Sequence, residues 1–196
     1  MKGPQATSNK STSNPQIVCP WWLCFTFDNI FRRLVQNPDR ILRPFVMPGW
    51  TVLDVGPGMG YFTIPLAKLV GNSGKVIAAD LQKQMLDGIY RRALKAGLQD
   101  RIKLQQSTPD KIGISEPIDF CLAFWMVHEV PDRSRFLNEI SSGLKAGGLF
   151  LLVEPRFHVS RENFNETLQI AKNARLIAQN PPSIFLSYSA LLKKGL

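Results

Sequence analysis

Cysteine is scarce in this 196-residue chain: Cys19, Cys24 and Cys121 form an odd, sparse set. Such a set excludes a disulfide framework and points to a reducing cytosol. Cys19, Cys24 and His158 do not stand at zinc-ligand spacing, so no metal site is expected. No apolar run approaches the roughly 18–20 residues that cross a bilayer, which excludes a spanning helix. The first fifteen residues are rich in Ser, Thr, Asn and Pro and lack the apolar stretch of a secretory signal. Acidic side chains are outnumbered, 15 against 24 basic ones, for a net charge of +9. The excess is not where a nucleic-acid binder would need it. Residues 1–50 hold six basic and two acidic side chains, and Lys193 and Lys194 stand unopposed near the end. The remaining 51–180 are close to balance, without a dense basic stripe interleaved with aromatics. Arg32, Arg33, Arg40 and Arg43 form at most a modest patch, and solvated surface charge is the better account of them.

What is present is ordinary globular composition, 44% hydrophobic and 20% charged, long enough for one sizeable core. Residues 1–16 read as a polar, disordered tail. Residues 17–48 read as a lid or cap segment, with the aromatic cluster Trp21, Trp22, Phe25 and Phe27, a helix through Ile30 to Val35, and a short helix over Asp39 to Arg43. From residue 49 onward the pattern is regular. Strands are expected at 51–55, 75–79, 101–105, 118–125 and 149–153, and a last one from Ile184 to Leu192. Helices are expected at 61–70, 82–96, 132–144 and 162–172. Strands that alternate with helices, several of them apolar throughout, imply an α/β, doubly wound, mostly parallel sheet covered on both faces.

The run Leu53-Asp54-Val55-Gly56-Pro57-Gly58-Met59-Gly60-Tyr61 leads a strand through a glycine-rich turn into a helix. In doubly wound sheets ligands bind there, and glycines let them approach the backbone. A dinucleotide fingerprint needs a glycine where Tyr61 stands, and no Gly-Lys-Ser/Thr marks a triphosphate loop. Asp54, just before the glycines, would repel a pyrophosphate but attract a cation such as the ammonium or sulfonium of S-adenosylmethionine. Asp80 ends the second strand, placed to accept hydrogen bonds from ribose hydroxyls or to cap the following helix.

Val52 to Gly60, Val76 to Asp80 and Leu144-Lys-Ala-Gly-Gly-Leu-Phe-Leu-Leu-Val-Glu-Pro155 together resemble a class I S-adenosylmethionine-dependent methyltransferase over about residues 45–196. Met126-Val-His-Glu-Val130 is similar to the branch containing ubiquinone and menaquinone C-methyltransferases. The resemblance implies a seven-stranded Rossmann-like sheet whose last strand is antiparallel. It implies that the loop of Gly56, Pro57, Gly58 and Gly60, with Tyr61, lines the methionine end of the cofactor. Asp54 would act through that loop or directly on the amino group, Asp80 would hold the ribose, and Leu81 would pack on adenine. Ser107 and Thr108 take the place of the family's adenine-binding Asp, and Phe124 and Trp125 would border the cofactor or serve as plain core aromatics.

An acceptor hydroxyl, thiol or acidic carbon would need a base near the methyl group. His128 and Glu129, after the fourth strand, and His158, after the fifth, are the candidates, with structural roles as the alternative for each. The Asp/Asn-Pro-Pro-aromatic motif that marks methylation of planar amino groups is missing from Ala123 to Met126. The expected partner is therefore a small-molecule acceptor, apolar or aromatic, rather than nucleic acid. An RNA or protein acceptor and a catalytically inactive cofactor-binding module remain the competing readings.

Overall fold

A computed structural model describes residues 35–195. The expected polar tail, the aromatic cluster, the helix reaching back to Ile30, and with them most of the 17–48 lid segment, lie outside the described residues.

In chain order the elements are α1 (Pro38–Leu42), β1 (Thr51–Val55), α2 (Thr63–Leu69), β2 (Lys75–Asp80), α3 (Lys83–Ala96), β3 (Ile102–Gln106), β4 (Ile118–Phe124), α4 (Arg133–Gly143), β5 (Leu144–Pro155), α5 (Arg161–Asn173), β6 (Leu176–Gln179) and β7 (Ser187–Lys194). The strands form one seven-stranded sheet ordered β3-β2-β1-β4-β5-β7-β6. The pairings from β3 to β5 are parallel, and β7 runs antiparallel to both of its neighbours. This is the expected α/β, Rossmann-like architecture with an antiparallel last strand.

Alternation along the strands builds two cores, one on each face. Leu53, Ile77, Cys121, Phe150 and Leu152 pack with Leu137 and Ile140 of α4 and with Phe164 and Ala171 of α5. Val52, Val76, Phe120, Leu122 and Leu151 pack on the other side with Leu66 and Ala67 of α2 and with Ile41 and Leu42 of α1. Ala78 meets Leu86 and Ile89 of α3. Full burial of Phe120 and Phe150 is worth roughly 1.5–3 kcal/mol for each side chain. Registers pair Val55 with both Ala79 and Ala123, and Phe124 with Val153. The carboxyl ends of these four strands therefore share one edge of the sheet, and the loops leaving them converge there.

Element ends depart from expectation where the backbone turns left-handed. Gly58 and Gly60, at φ +56° and +87°, hold the chain out of the helical region. α2 accordingly starts at Thr63 rather than Tyr61. β4 stops at Phe124 because Trp125 has φ +61°. The fifth strand is longer than 149–153: pairing with β4 resumes after an irregularity that carries Gly147 at φ +75°. The last strand starts at Ser187, not Ile184. Leu186 at φ +53° and the Ser187 amide donating to the Ile184 carbonyl make a turn, while the Ile184 side chain is buried in the core.

Candidate active site

The three glycines after β1 lack side chains for three different reasons. A Cβ on Gly60 would lie 3.1 Å from Ile89 Cγ1, so this position lets α3 close on the turn. A Cβ on Gly56 would lie 2.9 Å from Met126 Cγ, so its bare face is covered by the segment after β4. A Cβ on Gly58 would meet nothing within 4 Å, and Gly58 borders the open crevice. Gly56 and Gly58 both line the crevice, but only Gly58 has open space where a Cβ would stand, since packing partners take that space at Gly56 and Gly60. Tyr61 also borders the crevice, and its hydroxyl donates to the Gln36 carbonyl at 3.1 Å.

Beneath this turn lies Asp54, 2% exposed. Its Oδ2 accepts the Thr63 hydroxyl at 2.7 Å, tying β1 to the start of α2. Burial pushes its pKa up to about 7; the Thr63 bond opposes the rise and the Asp80 charge adds to it. Asp80, 8% exposed, accepts the Gln82 amide at 2.8 Å in the turn before α3. Burial raises its pKa to about 6, against the backbone N–H groups of Gln82, Gly58 and Leu81, while the Glu129 charge raises it further. Asp80 therefore organises the turn before α3, whose N-cap is Gln82 rather than Asp80, and faces the glycine loop. Leu81 lies beside it on the crevice wall.

After β3, Ser107 and Thr108 border the same crevice, but their hydroxyls donate to the Ile112 and Lys111 carbonyls at 3.3 and 3.5 Å and close their own turn. Two acids of this region carry no signal in the sequence pattern. Asp110 takes an ion pair from Arg135 at 2.9 Å. Glu139 of α4 accepts the amides of Ile112, Gly113 and Ile114 at 3.0, 2.7 and 3.3 Å, pinning the loop to the helix.

The far end of the crevice is built by residues after β4 and β5. Phe124 packs on Phe62 at 4.3 Å between ring centroids. Trp125 holds its left-handed backbone while its amide donates to the Val153 carbonyl and its indole N–H to Ser187 Oγ at 2.9 Å. A non-glycine residue in that conformation costs about 1–3 kcal/mol and persists only where its surroundings enforce it. Phe157 stands edge-on to the indole at 5.3 Å. His128 and Glu129 sit in a short 3-10 turn, Val127–Glu129. His158 lies at the exposed rim, its ring stacked on that of His128 at 5.9 Å and 13°. Nδ1 of His128 lies 2.5 Å from Glu154 Oε2, its backbone N–H donates to Oε1 at 3.1 Å, and Nε2 is 3.9 Å from Glu129 Oε1. Burial opposes charging of the ring, but the hydrogen bond and charge of Glu154, with the charge of Glu129, outweigh it and raise the pKa of His128. Sequence reasoning places Glu154 within a family motif without a role of its own. The available signal is an acid inside an apolar strand covered on both faces, which must find a partner.

These residues share one crevice of about 620 Å³, within the roughly 300–1,000 Å³ usual for small-molecule sites. The structure thus brings together every candidate cofactor-binding and catalytic residue except Gly60, which is turned toward α3. Among the described residues no group of three or more His, Cys, Asp or Glu side chains could hold a metal ion, and no helix is long and apolar enough to cross a membrane.

Residues 52–148 match a family described as a methyltransferase domain. The ubiquinone/menaquinone biosynthesis C-methyltransferase UbiE of Brucella anthropi is 30% identical over 114 residues, which cover 58% of this chain and 43% of that protein. The protein of the same name from Hahella chejuensis is 31% identical over 110 residues, 56% of this chain and 44% of that one. The chain thus spans less than half the length of these curated relatives. A SAM-dependent methyltransferase of Aquifex aeolicus shares the fold with a TM-score of 0.78 at 24% identity, over 89% of this chain and 98% of that one. The domain match defines the class: residues 52–148 are a methyltransferase domain, and the 3-2-1-4-5-7-6 sheet and the glycine turn with its two acids are those of a class I S-adenosylmethionine-dependent methyltransferase. Within that class its sequence resembles the ubiquinone and menaquinone C-methyltransferases.

Proposed function

We propose that this protein methylates a small-molecule acceptor held at the Trp125–His158 end of the crevice, with S-adenosylmethionine as the methyl donor. One observation carries the proposal: a single crevice joins an acidic, bare-backbone end, Asp54, Gly58 and Asp80, to an aromatic end bearing the His128 imidazole. The first end suits S-adenosylmethionine. Gly58 leaves open space where any other residue would project a Cβ, and two buried carboxylates lie against the turn that a cationic nucleoside would contact.

Gly56, Pro57 and Gly58, with Tyr61, would hold the methionine end. Asp54 would act through the loop, since its carboxylate is engaged by Thr63 beneath it. Asp80 would bind the ribose and Leu81 the adenine, with Ser107 and Thr108 beside the adenine and Phe124 and Trp125 bordering the sulfur. When bound, S-adenosylmethionine supplies a methyl group already activated on a sulfonium. What remains for the protein is alignment, worth up to roughly 7–11 kcal/mol in well-oriented systems, and exclusion of water by the apolar walls. His128 would accept the acceptor's proton at Nε2, Glu129 would orient that turn, and His158, stacked on His128, is the second candidate base. The sparse cysteines support a cytosolic setting.

The test is incubation with methyl-labelled S-adenosylmethionine and separate small-molecule, RNA and protein fractions of a cell extract. Label in a small product, found by mass spectrometry, is the expected result. Label only in RNA or protein, for which the pI near 9.7 would then be the relevant feature, would overturn the choice of acceptor. No transfer to any fraction would favour an inactive binding module.

A further inference from the structure

We propose that Glu154 is a positioning residue for His128, holding the imidazole in the tautomer whose Nε2 carries no hydrogen. The proposal rests on the reading of His128 as the proton acceptor. Glu154 ends the apolar run of β5 with a side chain only 3% exposed, and it spends both carboxylate oxygens on one neighbour. Oε1 accepts the His128 backbone N–H and Oε2 faces Nδ1 at 2.5 Å. A carboxylate offers only acceptors, so the ring nitrogen facing it carries the hydrogen. A neutral imidazole has one N–H, which leaves Nε2 bare on the opposite side of the ring. Two attachment points, one on the backbone and one on the ring, also fix the direction in which Nε2 looks.

The groups around the ring are Glu154 from β5, Glu129 from the same turn and the stacked ring of His158 from the segment after β5. When the acceptor's X–H bond breaks, its electron pair stays on X and its proton moves to Nε2. The resulting imidazolium is then flanked by two carboxylates. Glutamine cannot replace Glu154 in this role. It presents one acceptor and one donor, so its N–H₂ must oppose either the backbone N–H or Nδ1, and the second choice drives the hydrogen to Nε2.

The chain has two histidines, so imidazole ¹⁵N NMR resolves them, with His158→Asn used for assignment. The expected wild-type result is a neutral His128 in the Nδ1–H form. Glu154→Gln is expected to lower its pKa by at least about 1 pH unit and to populate the Nε2–H form, with S-adenosylmethionine affinity unchanged. Glu154→Asp, which keeps the charge, should recover part of the pKa. An Nε2–H tautomer in the wild type, or identical titration of His128 in wild type and Glu154→Gln, would overturn the proposal. Should Glu154→Gln fail to fold, the wild-type tautomer and the Asp variant decide. The readout needs no acceptor, so the two readings fail separately: absent methyl transfer with the Nδ1–H form defeats only the functional reading, and an Nε2–H form in an active enzyme defeats only this one.

Discussion

Asp54→Asn should make the ligand-free protein more stable at pH 8, although it removes a residue of the proposed cofactor site. Burial lifts the Asp54 pKa from 3.8 to about 7. Between those values the unfolded chain releases this proton while the folded protein keeps it, so stability falls as pH rises and levels off above about 7. A gap of about 3 pH units is worth about 4 kcal/mol at 1.36 kcal/mol each. The asparagine oxygen still accepts the Thr63 hydroxyl, which lies at 2.7 Å from the carboxylate, but its amide N–H₂ is left to find a partner, costing about 1–3 kcal/mol. The net expectation at pH 8 is a gain of about 1–3 kcal/mol. Below about pH 4, where both states of the wild type are protonated, the advantage should vanish. Urea unfolding of both proteins at pH 4, 6 and 8 without cofactor measures it. Asp80, raised to about 6, adds a slope of the same sign in both proteins, a smaller one in the variant because the Asp54 charge that opposes its ionisation is gone. Equal stabilities at pH 8, or parallel pH dependences for the two proteins, would refute the reasoning. If the gain is found, the carboxylate is retained at a cost in stability for what it does to a bound cation.

Three further outcomes are expected from the geometry. Gly58→Ala places a methyl group in the open crevice at φ +56°; unfolding should show a loss of about 1–2 kcal/mol, and calorimetry should show S-adenosylmethionine affinity lowered by more than about tenfold. Asp80→Ala should weaken cofactor binding by about 1–3 kcal/mol, with unchanged affinity in a folded variant showing that Asp80 serves only its turn. Glu139→Ala orphans three backbone amides of the loop after β3; it should cost about 1–3 kcal/mol in urea unfolding and increase hydrogen exchange at Ile112 and Gly113 more than in the strands.

The central strands are legible because a parallel strand covered on both faces must be largely apolar, as Phe120 to Phe124 is throughout and Val52 to Val55 is apart from Asp54. Their ends are harder. Trp125 and Leu186 take left-handed conformations that no composition rule assigns to tryptophan or leucine, and each ends or delays a strand. In the site, Asp54 and Asp80 can be found because strand-end position alone places them beside the glycine turn. The separate duties of Gly56 and Gly60 stay hidden, since Met126 and Ile89 reach them from distant segments. Glu154 and Glu139 acquire roles only through partners 25 to 27 residues away along the chain, which local patterning does not reveal.

The most direct measurement is titration calorimetry of the protein with S-adenosylmethionine at pH 8 and pH 5.5, with NADH as the comparison ligand. Saturable binding of S-adenosylmethionine alone is expected, weakening at pH 5.5 as the carboxylates of Asp54 and Asp80 take up protons. No heat with S-adenosylmethionine, or equal binding of NADH, would contradict the assignment of the crevice.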